Sequence, residues 1–137
     1  MSDGKTIATA TADIGETRYA VSLRTGRHGL TGDEPLPEGG DAGPSPFGLV
    51  LAGLGACTAI TLRMYAERKH WPLAAVHVDL RFHWEGEGEQ RRGHIERALR
   101  LEGPLDAEQR RRFAEIAEKT PVTRALKDGI AIRTTLA

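Results

Sequence analysis

The chain has 137 residues, 39% of them hydrophobic and 28% charged, with 19 Lys and Arg balanced against 19 Asp and Glu. That length fits a single domain, 1–137, able to bury a core of its own, and a mean hydropathy of −0.38 argues against a membrane protein. Zero formal net charge leaves no overall field to gather nucleic acid or anionic lipid, so neither is an expected partner.

The first sixteen residues, "MSDGKTIATATADIGE", carry no apolar core flanked by basic residues, and no secretory leader is expected. The β-prone runs Thr6–Ala12, Tyr19–Arg24 and His28–Thr31 are separated by turns at Gly15 and within "TGRHG" and predict a small antiparallel meander. From Gly32 to Pro46, "GDEPLPEGGDAGPSP" is too rich in Pro and Gly for regular structure. A loop of that length inside a small domain is often functional.

A long helix is predicted next, within "GPSPFGLVLAGLGACTAITLRMYAERK", with Ser45 as N-cap and Pro46 at the first helical position, where a missing N–H costs nothing. Its first half has no polar face and should be buried all round, whereas Arg63, Glu67, Arg68 and Lys69 should bring its last turns to solvent. The uncharged stretch Phe47 to Leu62 is shorter than a membrane span of roughly 20 residues and contains three glycines, which places it inside a protein. Gly48, Ala52, Gly55, Ala56 and Ala59 recur at spacings of three and four, forming a flat ridge that a second helix could approach closely.

Beyond Pro72, Ala75–Glu85 alternates strictly, with Val76, Val78, Leu80, Phe82 and Trp84 on one face and His77, Asp79, Arg81, His83 and Glu85 on the other. His94–Leu101, with Ile95, Leu99 and Leu101 as its apolar positions, should pair with it as an antiparallel hairpin across "GEGEQRR". Asp106 and Gln109 form a capping-box pattern for a second helix whose inner face is Phe113, Ile116 and Ala117. "PVTRALKDG" reads as a turn, and Ile130–Leu136 as a closing strand. The class is α+β, with antiparallel sheets around one long central helix. A chain this small can hardly cover both faces of that helix, so a homodimer with a shared core is expected.

Cys57 is the one thiol, and it cannot form an internal disulfide, which suits a reducing cytoplasm. It lies about three turns past Ser45, beyond the reach of the helix dipole, so any activation must come from another segment. On residue type alone it is either inert core or a nucleophile. "RTGRHGLTGDEP" supplies the candidate activators: Arg27 as the cation beside the thiolate and Glu34 as the carboxylate orienting it, with a solvated hairpin tip as the plainer reading. His77, Asp79, His83 and His94 share the polar hairpin face. His77 and His83 are separated by about 20 Å along one strand, so a polar surface is favoured over a metal site. The basic runs "QRRG" and "QRRRF" read as solvated charge.

Together "GDEP", "GGDAGPSP", "LGACTAITLRMYAERKHWPL", "LEGPLDAEQRRRFAEIAEKTPV" and "IAIRTTLA" resemble the OsmC/Ohr family of osmotically inducible protein C and organic hydroperoxide resistance proteins. The resemblance runs from about Gly32 to the C-terminus. It implies an intertwined α+β homodimer and a thiol peroxidase in which Cys57 attacks an organic hydroperoxide and becomes a sulfenic acid. It further implies no bound cofactor and a thiol or dithiol as reductant.

Two positions depart from the family pattern. In "EKTPV" Thr120 stands where the resolving cysteine is expected, so the sulfenate would have to be cleared by an external thiol. Phe47 and Gly48 occupy the region where hydroperoxide-resistance members often carry a glutamate, which leaves the activating network to Arg27 and Glu34. The alternative reading is a non-catalytic OsmC-like dimer that binds a small apolar ligand.

Overall fold

The structure, a computed structural model, describes residues 4–137. They form two compact units, divided between Val50 and Leu51. In the first, β1 (Ala10–Asp13), β2 (Val21–Thr25) and β3 (His28–Gly32) make an antiparallel sheet in the order β1-β2-β3. This is the predicted meander. Strand β1 starts later than its sequence suggests because β2 ends at Thr25, which pairs with Ala10, so earlier residues find no ladder partner. Gly26 adopts φ +59° in the two-residue turn that brings Thr25 opposite His28, a turn geometry that favours glycine.

The loop after β3 is held tightly by its own backbone. The buried carboxylate of Asp33 accepts from the amides of Glu34 at 2.7 Å and Ala42 at 3.0 Å, folding the segment back on itself. A Cβ at Gly43 would lie 1.9 Å from the Thr31 carbonyl oxygen, so only glycine fits this crossing.

The helix α1 (Pro46–Lys69) starts where predicted, with the Ser45 hydroxyl accepting from the Gly48 amide at 3.1 Å. It ends where His70 takes φ +58° and the Trp71 amide donates to the Ala66 carbonyl. The second unit adds β4 (Ala75–Glu85) and β5 (Arg92–Glu102), paired antiparallel with Val76 opposite Leu101, Val78 opposite Leu99 and Phe82 opposite Ile95. Leu62, Tyr65, Ala66, Leu73 and Phe113 form the core, capped by partly buried Trp71, Leu99 and Ile116. Tyr65, Trp71 and Phe113 meet edge to face, with centroids 5.5–6.1 Å apart.

Two expectations are corrected here. "PVTRALKD" is not a turn: it forms α3 (Pro121–Asp128), following α2 (Ala107–Ala117), because Thr120 caps it and Pro121 sits at the first helical position. The strand expected over Ile130–Leu136 is not formed, since among the described residues no strand edge pairs with it, and Ile132 and Leu136 are 85% and 99% exposed. As expected for one copy, the small-residue ridge of α1 receives no other helix within the second unit. A Cβ at Gly55 would come within 2.9 Å of Leu80 of β4, so that glycine admits the sheet, while Ala52, Gly53 and Ala56 stay exposed.

Within the second unit α1 therefore has two unlike sides. Leu54, Thr58, Leu62 and Tyr65 are buried, whereas Gly53, Ala56, Ile60 and Met64 form an exposed apolar stripe. By length and composition α1 is also apolar enough to cross a membrane, a test its uncharged stretch alone seemed too short to pass; the core helix of a soluble protein passes it too.

Candidate functional site

Cys57 is a free, half-buried thiol on α1, at the seam between the buried side carrying Leu54 and Thr58 and the exposed stripe carrying Ala56 and Ile60. The next residue, Thr58, is fully buried; its hydroxyl donates to the Leu54 carbonyl at 2.7 Å and accepts from Arg97 Nη1 at 2.9 Å.

Arg97 is the residue the sequence reading missed. It stands in the inward register of β5, between Ile95 and Leu99 and opposite Leu80, where alternation calls for an apolar side chain. That break in the pattern was the available signal. Its side chain is only 11% exposed. Besides Thr58 it donates to the Thr123 hydroxyl at 2.9 Å, the Ala117 carbonyl at 3.0 Å and the Glu118 carboxylate at 3.4 Å, tying α1 to both following helices. Glu118 has its carboxyl held below the usual range, chiefly by a hydrogen bond from Lys127 and further by Arg97, with burial opposing.

Thr120 belongs to the same network. It is fully buried, and its hydroxyl lies 2.6 Å from that of Thr123, which donates to the Ala117 carbonyl at 3.3 Å. Thr120 also accepts from the Thr123 amide at 3.4 Å, capping α3. A hydroxyl here satisfies buried donors and acceptors. A ladder of Thr120, Thr123, Arg97 and Thr58 thus leads from the start of α3 to the neighbour of Cys57.

Arg27 and Glu34 both lie in the first unit. Arg27 is exposed in the β2–β3 turn, and Glu34 follows the far end of β3. The five residues of β3 run between them, about 16 Å of extended chain. Among the described residues neither forms an ion pair, with the other or with a third group. The structured acid of this loop is Asp33, whose carboxyl is lowered chiefly by the Ala42 amide, against the opposing cost of burial.

The three hairpin histidines are engaged by acids. His83 and His94 face each other across the hairpin with rings stacked 5.6 Å apart, and both contact Glu85, at 3.0 and 2.9 Å. Glu85 has its carboxyl lowered, first by the His83 hydrogen bond. His77 instead pairs with Glu102 at the other end of β4. Among the described residues no three of His, Cys, Asp or Glu gather in a metal-binding arrangement. The basic runs prove less idle than expected: Arg110 donates to the carbonyls of Leu101, Gly103 and Leu105, Arg112 to the Tyr65 hydroxyl, and Arg91 stacks 4.0 Å from the Trp84 ring centroid.

The model of the OsmC-like protein family matches residues 39–135, which include α1 with Cys57, the hairpin carrying Arg97, and Thr120. The chain belongs to the OsmC-like family. Its fold agrees with solved OsmC-like structures. An OsmC-like protein of Mycoplasma pneumoniae superposes with a TM-score of 0.77 at 19% identity, covering 92% of this chain and 89% of that one. An organic hydroperoxide resistance protein OsmC of Legionella pneumophila gives 0.69 at 20% identity, covering 89% and 90%. A Vibrio cholerae protein assigned to organic hydroperoxide resistance, with captopril bound in one of its active sites, gives 0.65 at 20% identity, covering 92% and 89%. At these identities the likeness establishes the fold. No curated protein sequence matches the chain.

Proposed function

We propose that this OsmC-like protein reduces organic hydroperoxides by a one-cysteine cycle centred on Cys57. The observation that carries the reading is the half-buried free thiol on α1, together with a buried Thr120 hydroxyl in place of a second thiol. The Cys57 thiolate attacks the distal peroxide oxygen, the O–O bond breaks, and the departing alkoxide takes a proton to leave as alcohol. Cys57 is then a sulfenic acid. A small thiol displaces water to form a mixed disulfide, and a second thiol releases the oxidised reductant and restores Cys57. No cofactor takes part, and the reducing setting of a cytoplasm supplies the thiols.

Arg27 is the proposed cation for the thiolate, while Glu34, held at the other end of β3, does not orient it within one chain. The functional unit is proposed to be a homodimer. The exposed stripe of Gly53, Ala56, Ile60 and Met64 and the exposed Ile130, Ile132 and Leu136 of the unpaired C-terminal segment support it, since both leave apolar surface that a second copy would bury.

The test is loss of cumene hydroperoxide with dithiothreitol in excess. Many turnovers per chain are expected, with Cys57→Ser reduced to the uncatalysed rate. Consumption of only one equivalent, or unchanged turnover in Cys57→Ser, defeats the reading. In a companion experiment, Thr120→Cys should form an internal disulfide with Cys57 after one equivalent of peroxide, seen as loss of both thiols by mass spectrometry. Two free thiols after oxidation would show that position 120 does not stand where a resolving cysteine would.

A further inference from the structure

An open cleft of about 460 Å³ lies over the outer end of the Arg97 network, wholly within the second unit. Leu54, Ile95 and Leu126 give it an apolar wall, Arg97 lies at its base, and Arg92 and Lys127 stand at its rim. Its size falls in the range of small-molecule sites.

The charges of this cleft do not balance. Three of Arg97's four partners are neutral: two threonine hydroxyls and a main-chain carbonyl. Its one carboxylate contact, with Glu118, is 3.4 Å long, well beyond the roughly 2.7–2.9 Å of a strong charge-assisted bond. Glu118 is the one acid lining the cleft and is shared with Lys127. Arg92 forms no ion pair among the described residues, because Glu85, its neighbour across the hairpin, is taken by His83 and His94. A guanidinium so nearly buried ordinarily has a full counter-charge. Here one carboxylate serves two cations and a third has none.

We propose that this cleft binds a small organic carboxylate. The carboxylate sits among Arg92, Lys127 and Arg97, and an apolar body lies against Leu54, Ile95 and Leu126. The apolar wall beside the cations selects an amphiphilic anion over inorganic phosphate, and the cations select it over a neutral molecule of the same shape. The inference does not rest on the chemistry proposed for Cys57, which does not line the cleft.

The test is calorimetric titration of the full chain at low salt with octanoate, and with octanol and inorganic phosphate in parallel. Octanoate should saturate one site per chain, and each control should bind at least about tenfold more weakly. The rim variants Arg92→Glu and Lys127→Glu should each weaken octanoate by about tenfold, and the milder Arg92→Gln by less, with circular dichroism unchanged. Cys57→Ser should bind as the native chain does, so loss of peroxidase activity and loss of binding are separate results. Equal binding of octanol, equal binding of phosphate, indifference to the rim variants, or no saturable heat would each overturn the proposal.

Discussion

Asp33 and Arg97 are both buried charges, one in each compact unit, and they are satisfied in opposite ways. Asp33 is held by main-chain amides of its own loop, Glu34 and Ala42, no more than nine residues away in sequence. Arg97 draws on Thr58 of α1, Ala117 of α2 and Thr123 of α3, up to 39 residues away. A local cage makes a rigid loop that needs little from the rest of the chain. A long-range cage makes three helices depend on one side chain, so its loss should be felt throughout its unit.

The sharpest way to break this contrast is Arg97→Met, which keeps the volume but removes the shared donor of two buried hydroxyls and a carbonyl. A loss of about 3 kcal/mol is expected in urea unfolding. Arg97→Lys should recover only part of it, because an ammonium cannot reproduce the planar fork that spans the three elements. A loss below about 0.5 kcal/mol would mean that the guanidinium is incidental to the packing.

Asp33→Asn should act more locally. Since its carboxyl is held below the ordinary range, the stability that the charged form contributes is complete above about pH 4 and is lost as pH falls through the lowered value. Hydrogen exchange at the Glu34 and Ala42 amides should therefore accelerate on acidification in the native chain and be fast but pH-insensitive, after correction for intrinsic rates, in Asp33→Asn. The amides of α2 and α3 should exchange alike in the native chain and in Asp33→Asn, since their own acid, Glu118, is present in both. Acceleration of α2 and α3 caused by Asp33→Asn at neutral pH would erase the distinction between local and long-range cages.

The smallest effect belongs to Lys127→Ala. The Lys127–Glu118 pair is more than half exposed on both sides. Its removal should cost at most about 0.5 kcal/mol in urea unfolding. A larger loss would show that Glu118 needs Lys127 in order to serve Arg97.

Much of the architecture was legible because it follows from short-range pattern. The strict alternation of residues 75–85 marked β4 to its ends, and Asp106 with Gln109 marked the start of α2 by a capping box that the structure contains in full. Ser45 and Pro46 marked α1 for the same reason. α3 was missed because Thr120 and Pro121 were read as a turn, although a hydroxyl followed by proline is also a helix start. Cys57 was found by being the one thiol. Arg97, which bonds the adjacent Thr58, was overlooked because strand-face reasoning attended to apolar positions alone.

What the sequence determined by itself is the set of local elements, and with them the placing of one thiol deep in an apolar helix, because caps, turns and alternation act over a few residues. Only the tertiary structure decided that Thr120 closes a hydroxyl ladder, that Arg97 carries it to the neighbour of Cys57, and that residues 130–136 stay unpaired. Those outcomes depend on which distant groups meet, and a buried charge or an open strand edge is defined by its partners in space.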